Sequence, residues 1–373
     1  MSTASADVVI VGAGIVGVGT AYYLARAGVR SVVVEKDAVA SHASGFAYGG
    51  LSPLSGFGIP GPLAAMAEEG IRAHRELALA LPGEAGIDVE FRWRSSLALA
   101  LTDGDVERLR AAMVWQQQQP GYTVRWLGPD EARAIEPRIS DKTLGATHIE
   151  GGGDVEPYKL VLALTHAAER MGASIRQGRA VGLRREGGKV TGVILERDEL
   201  SCSAVVLAGG PWMGEVGAWL GVPIPVRPLK GQILRLRAPG PPVPCSVGWG
   251  HHYATTKPDG LLWAGTTEEE AGFDEETTVE ARDRISDALL TMLPPMIDAE
   301  IVYQTACLRP LAADNLLILG RAPALDNVYV ATGGARKGIL FGPPMARAVS
   351  DLITTGRASL ALDAFDLARF GVR

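Results

Sequence analysis

Cysteine is scarce. Cys202, Cys245 and Cys307 are the only three in 373 residues, and no two stand in a CxxC spacing. That leaves no disulfide framework and no structural zinc site, and it suits a reducing compartment. An excess of positive charge is also missing. Thirty-six basic against forty-two acidic residues give a net charge of −6, which excludes nonspecific nucleic-acid binding through basic patches. A small anionic substrate held by local arginines stays open. No run of eighteen apolar residues occurs, so no membrane span is expected. Met1 to Asp7 has no basic region ahead of the apolar Val8–Val11, so no signal peptide is expected and the chain reads as soluble and cytoplasmic. The six histidines form no metal-ligand spacing with nearby acids, so no metal site is assigned. No Ser-His-Asp arrangement and no internal repeat are visible.

Glycine, by contrast, is abundant at 46 residues. Val8–Val11 reads as a buried strand, and Gly12, Gly14 and Gly17 follow in the GxGxxG pattern. Gly12 permits the tight turn, Gly14 lets backbone approach a pyrophosphate, and Gly17 lets a helix pack close to the strand. That helix, predicted over residues 15–27, points free N–H groups and a positive dipole end at the phosphates. Ser31–Val34 reads as the second strand, ending at Glu35. A carboxylate there accepts hydrogen bonds from ribose hydroxyls and repels a 2′-phosphate. The whole strand–turn–helix–strand–acid unit is present in order, although by itself it does not separate FAD from NAD.

Loop chemistry fills residues 41–61. Helices are predicted over 63–81, 103–118 (capped by Thr102), 129–135, 157–172, 279–293 and 338–354, the last with Pro343 and Pro344 in its first two turns. Residues 91–101 read as a strand bent at Ser95–Ser96. Residues 174–206 read as a strand meander turning at 186–189, and further strands are predicted at 231–236, 253–265, 316–320 and 328–332. Gly151–Pro157 marks a boundary, and Gly56–Pro62 is a candidate entrance loop. The expected fold is α/β: a Rossmann-like nucleotide-binding domain (1–55, 150–215, 305–373) interleaved with an α+β substrate domain on an antiparallel sheet (56–149, 216–304).

Several separated motifs together resemble the FAD-dependent D-amino-acid oxidase superfamily, in its glycine oxidase and sarcosine oxidase branch. Ser41, Ser44, Gly45, Gly49, Gly50 and Leu51 look like its flavin loop. Asp154-Val155-Glu156-Pro157 resembles its Asp-Val-Asp-Pro entry to a helix, with a plain helix start as the alternative. The resemblance places Val181 against the adenine through its backbone. It places Ala208 and Gly209 under the flavin, with Trp212 packing there or in the core. Thr332-Gly333-Gly334-Ala335-Arg336-Lys337-Gly338-Ile339 resembles the family's Thr-Gly-His-x-x-x-Gly-Ile, with Ala335 in place of the histidine. Helix amides there would face the flavin pyrimidine, and Arg336 or Lys337 would supply positive field. Ala306–Asp314 resembles Gly-Leu-Arg-Pro-x-x-x-Asp, whose arginine binds the substrate carboxylate, here Arg309. A guanidinium fork suits that task. Tyr253 resembles the tyrosine that helps hold the same carboxylate, and His251–His252 beside it either line the pocket or, as the preferred reading, are exposed loop residues.

The resemblance implies non-covalent FAD. A covalent bond at Cys307, the position that carries it in sarcosine oxidases, is the alternative. Alignment puts Trp263 where sarcosine oxidases hold a lysine over the flavin. The implied reaction is oxidation of a small amino acid or amine (glycine, sarcosine or a D-amino acid). A hydride passes to flavin N5, the imine hydrolyses to an oxo-acid, and O2 or another acceptor takes the electrons. The alternatives are a dehydrogenase for a cyclic or N-substituted amino acid such as proline, and a nucleotide-binding module without turnover. A homo-oligomer stays open.

Overall fold

The computed structural model describes residues 5–323 and 325–371. Residues 1–4, 324, 372 and 373 lie outside the described residues. The ends of the first and last expected cofactor segments, and most of the stretch before Asp7, fall there.

The apolar strand Ser5–Val11 is central in the first sheet, with Val8, Val9 and Ile10 buried. Strands Ser31–Glu35 and Glu199–Leu207 run parallel on its two sides. Leu325–Thr332 continues the sheet in parallel beside Val205–Leu207, and Ile318–Ala322 pairs antiparallel at that edge. The helix Ile15–Arg26 packs between helices Pro157–Arg170 and Gly338–Thr355 on one face. Parallel strands covered by helices explain why these strands read as unbroken Val/Ile runs.

The second sheet runs in the order Glu300–Ala312, Val226–Arg237, Leu262–Gly265, His252–Thr256, Ser246–Trp249, Ser96–Ala100, Gly145–Glu150, Thr123–Leu127. It is antiparallel except where Ser246–Gly248 meets Ser96–Ala98. The helix Val279–Met292 covers the face turned away from the first sheet, burying Ile285 and Leu289 against Leu234, Leu236 and Ala264. A third sheet of two-residue strands (Gly50–Leu51, Gly153–Asp154, Arg92–Trp93) joins the layers. The expected bend at Ser95–Ser96 separates the third sheet from the second.

Local rules set several boundaries. Thr102 Oγ1 accepts the Asp105 N–H at 3.2 Å, and Asp105 Oδ2 accepts the Thr102 N–H at 3.1 Å. This capping box starts the helix Asp103–Gln116. Pro343 and Pro344 lie inside the helix Gly338–Thr355. The amide that Pro343 lacks would have bonded the Ile339 carbonyl. The buried His74, on the helix Ala64–Ala85, fills that place at 2.8 Å.

Three readings need correction. Ser174–Gln177 is not part of the meander. The helix before it carries the chain across, so it lies parallel beside Ser31–Glu35, and the antiparallel hairpin begins only at Ala180–Glu186. Residues 253–265 are two strands around a Pro-Asp-Gly turn. The strand Glu300–Ala312 and the helix Met213–Leu220 were missed. That strand is an edge whose outer half is largely exposed, so it lacks a clean apolar alternation.

Candidate active site

A cleft of about 760 Å³ runs between the two large sheets. At one end stands the glycine turn. Gly12 has φ +106°, and a Cβ there would lie 2.5 Å from the Ala208 carbonyl oxygen. A Cβ on Gly17 would collide with the Gly12 carbonyl. Glu35 braces the turn, its Oε2 accepting the Ala13 N–H at 2.7 Å and its Oε1 the Asp37 N–H at 3.0 Å. Ser44 Oγ accepts the Ile15 N–H at 3.1 Å. The Ser41 hydroxyl is buried on the cleft wall without a partner among the described residues. A cradle closed to any side chain, a helix N-terminus and an unpartnered hydroxyl fit the pyrophosphate of a dinucleotide.

Gly14, Gly49, Gly50, Val181, Ala208, Gly209, Trp212, Gly334, Arg336, Lys337, Gly338 and Ile339 all line this cleft. Gly17, Gly45 and Leu51 do not. Gly17 works in helix packing, Gly45 would collide with the Ala40 carbonyl if it carried a Cβ, and Leu51 is buried in the core. Trp212 is neither loose nor core. Lys36 Nζ lies 3.8 Å from its ring centroid, His42 meets its face edge-on at 4.7 Å, and Phe273 stacks at 5.8 Å. His42 Nδ1 in turn lies 3.1 Å from Glu275 Oε1.

The last motif turns at Ala335–Lys337 into the helix Gly338–Thr355, and Ala335 takes φ +40°. Thr332 Oγ1 donates to the Gly210 carbonyl at 3.0 Å and ties this motif to the Ala208–Gly210 strand end. Arg336 forks onto the Glu268 carboxylate. Lys337 makes no ion pair among the described residues, and burial pulls its pKa below the ordinary lysine range.

The other end of the cleft is built on the second sheet. Arg309 Nη2 donates to Thr266 Oγ1 at 2.6 Å, and Nη1 donates to the Thr267 carbonyl at 3.1 Å. Its guanidinium lies across Gly231 on the neighbouring strand, where any Cβ would collide with it. Tyr253 stacks on Tyr48 with ring centroids 4.5 Å apart, and the Tyr48 hydroxyl donates to Ser246 Oγ at 3.3 Å. Burial pushes the Tyr253 hydroxyl pKa upward, partly offset by Arg309, so it stays a donor. Cys307 lines the cleft, and burial raises its thiol pKa.

Trp263 is corrected. It lies outside the cleft wall, stacked beneath Arg235 at 3.9 Å, with its Nε1–H donating to Asp259 Oδ2 at 3.1 Å. The strand ends at Gly265, and the side chains that reach the cleft beyond it are Thr266 and Glu268. His251 and His252 both line the cleft, and His252 is half-buried on its strand instead of exposed on a loop. Asp154 lies away from the cleft. It is fully buried, with Arg92 at 2.8 Å, Arg94 at 2.9 Å and Lys257 at 3.1 Å. Its motif backs the flavin loop, where the Val155 N–H donates to the Gly49 carbonyl at 3.1 Å. In the expected entrance loop, Gly56, Phe57 and Gly58 line the cleft, and Gln116 Nε2 holds the Leu54 and Gly56 carbonyls at 2.8 and 2.9 Å.

Sequence reasoning missed Tyr48, Ser246, Thr266 and Glu268. Tyr48 stands inside the small-residue loop already singled out. The other three carry no local signal. Among the described residues, no helix is long and apolar enough to cross a membrane, and no cluster of potential metal ligands is found.

The model of the FAD dependent oxidoreductase family matches residues 7–352. Glycine oxidase of Geobacillus kaustophilus (strain HTA426) is 31% identical over 368 residues, covering 97% of each chain. Glycine oxidase of Pseudomonas aeruginosa is 29% identical, covering 94% of this chain and 95% of that one. The crystal structure of the Geobacillus kaustophilus glycine oxidase superposes with a TM-score of 0.94 at 29% identity, covering 98% of this chain and 99% of that one. Iminodiacetate oxidase from Chelativorans sp. BNC1 superposes with a TM-score of 0.89 at 25% identity, covering 96% and 98%. With the glycine cradle, the Gly334–Ile339 turn and Arg309 on one cleft, the chain belongs to the family of FAD dependent oxidoreductases.

Proposed function

We propose that the protein oxidises the C–N bond of a small amino acid or amine, with Arg309 clamping the substrate carboxylate. One observation carries this. The same cleft that begins at the glycine cradle ends at an arginine whose fork is oriented by Thr266 and Thr267 yet keeps further N–H groups for a ligand. Tyr253 donates a second hydrogen bond to the carboxylate, and the Tyr48–Tyr253 stack keeps water from that end. Fixed this way, the α-carbon is presented in one orientation, and positioning is the main contribution of the chain.

FAD, when bound, supplies the acceptor for the hydride that leaves the substrate carbon. Gly12 and Gly14 with the helix Ile15–Arg26 hold its pyrophosphate, together with Ser41 and Ser44. Glu35 takes ribose hydroxyls and Val181 flanks the adenine. Lys337 and the amides at Gly338–Ile339 supply positive field at the pyrimidine, while the charge of Arg336 is largely offset by Glu268. The raised Cys307 pKa keeps that residue a neutral thiol, which supports non-covalent binding. The two large sheets support a division into a cofactor half and a substrate half, but residues 305–312, expected in the cofactor half, lie with Arg309 on the substrate sheet. The substrate product is an imine that hydrolyses to an oxo-acid, and O2 or a separate acceptor takes up the electrons.

An anaerobic absorbance titration tests this. Protein loaded with FAD is mixed in turn with glycine, sarcosine, D-alanine, D-proline and L-proline. Bleaching of the flavin bands by one of them, lost in Arg309→Ala, is expected, and admitting air then separates oxidase from dehydrogenase. Protein that does not take up FAD would refute the proposal.

A further inference from the structure

Four acidic side chains line the cleft among the described residues: Glu35, Asp105, Glu215 and Glu268. Glu35 and Asp105 are held by other partners, and Glu215 stands on a separate helix. Glu35 braces the glycine turn. Asp105 caps its helix and accepts the Trp249 Nε1–H at 3.1 Å. Glu215 lies on the helix that follows Trp212. Glu268 differs. It directly follows Thr266 and Thr267, the two residues that orient the Arg309 guanidinium, so one short segment fixes both groups relative to each other. Its side chain is about a quarter exposed and pairs with Arg336 from the turn before the last helix, and Arg309 and His251, which line the same cleft, help hold its carboxyl below the usual carboxylate range.

An ionised carboxylate offers about four acceptor positions, and the fork of Arg336 uses two. The other two remain for a further donor. An α-amino acid carries its ammonium one carbon away from the carboxylate that Arg309 would take.

We propose that Glu268 accepts hydrogen bonds from the protonated amino group of the substrate and so makes the site selective for zwitterions over carboxylates that lack an amine. The proposal rests on the reading of Arg309 as the carboxylate clamp. It carries a second consequence. A carboxylate beside the amine favours its charged form and raises the pKa of the bound amine. The amine must lose that proton, to solvent through the mouth of the cleft, before hydride can leave carbon. Glu268 therefore trades affinity against the fraction of bound substrate that is ready to react.

The test compares FAD-loaded wild type with Glu268→Gln. Two ligands are titrated: the amino acid that bleaches the flavin, and propionate, an amine-free carboxylate read by flavin band shifts. Glu268→Gln is expected to weaken the amino acid by about tenfold or more, the scale of a charged hydrogen bond. Propionate should change less than about twofold, because it reads the carboxylate clamp of Arg309 and Tyr253 and not the amine position. The acid limb of the kcat–pH profile should move to lower pH in the variant. Arg336→Gln, which removes the competing cation, should raise the ratio of amino-acid to propionate affinity, and it serves if Glu268→Gln does not fold. Equal losses for both ligands, or no change in either, would overturn the proposal. Failure of the underlying reading is distinct, because propionate would then leave the flavin bands of the wild type unshifted.

Discussion

The Nε2–H of His74 donates to the carbonyl of Ile339 at 2.8 Å, in the place of the amide that Pro343 does not have. A buried histidine on one helix thus completes the backbone of another. Burial pushes its pKa down to about 4 from 6.5. A depressed folded pKa gives stability that is full above the unfolded value and is lost as pH falls toward the folded one, up to about 3 kcal/mol for this shift. Replacing His74 by Leu should cost about 1–3 kcal/mol at pH 7.5 by leaving the carbonyl unpaired. The variant should also lose part of the decline in stability between about pH 6.5 and 4. Urea midpoints of both proteins at several pH values measure this, and an unchanged pH slope in the variant would count against it.

Gly231→Ala should displace Arg309 without touching the cofactor cradle. The Cβ would collide with the guanidinium at a buried position, so the fork must turn away from Thr266 and Thr267. Propionate affinity should fall by about tenfold or more, as for a lost charged hydrogen bond, while FAD content stays near that of the wild type. Absorbance at the flavin bands gives both numbers.

Gly12→Ala should do the reverse. The strained φ and the approach to the Ala208 carbonyl leave no room for a methyl group. Protein purified with this change should carry little FAD and bind added FAD weakly. FAD content equal to wild type would show that the turn relaxes easily.

Asp154→Asn should destabilise the junction of the layers. One fully buried carboxylate there meets Arg92, Arg94 and Lys257. Losing it leaves buried cations uncompensated, at a cost of about 3 kcal/mol or more. Adding Lys257→Met should recover part of the loss, since the two changes act on one cluster. Thermal melts of the single and double variants decide it, and a double variant as unstable as the sum would refute the coupling.

What the sequence made legible was local. Gly12, Gly14, Gly17 and Glu35 announce a nucleotide cradle because each has a geometric task within one strand–turn–helix unit. Thr102 announces a helix start because capping is a contact over three residues. Arg309 was found through its motif, although its strand was not. The rest of the cleft wall depends on convergence. Glu268 reaches the cleft beyond the end of its strand at Gly265, whereas Trp263, within that strand, meets Arg235 because the two are partners across the antiparallel pair. Tyr48 and Tyr253 meet across more than two hundred residues of chain, and no local pattern encodes such a pair.

The interleaving of the sheets also sets a clock for biosynthesis. The central strand Ser5–Val11 gains its neighbour at Ser31–Glu35 almost at once, but its other flank waits for Glu199–Leu207. At ribosomal speeds of roughly 5–20 residues per second, that is about 10–40 s of synthesis. That flank of the apolar central strand is therefore open during its own translation. In the cell, the yield of this protein should depend on what shelters that edge while the ribosome finishes, more than on the stability of the finished fold.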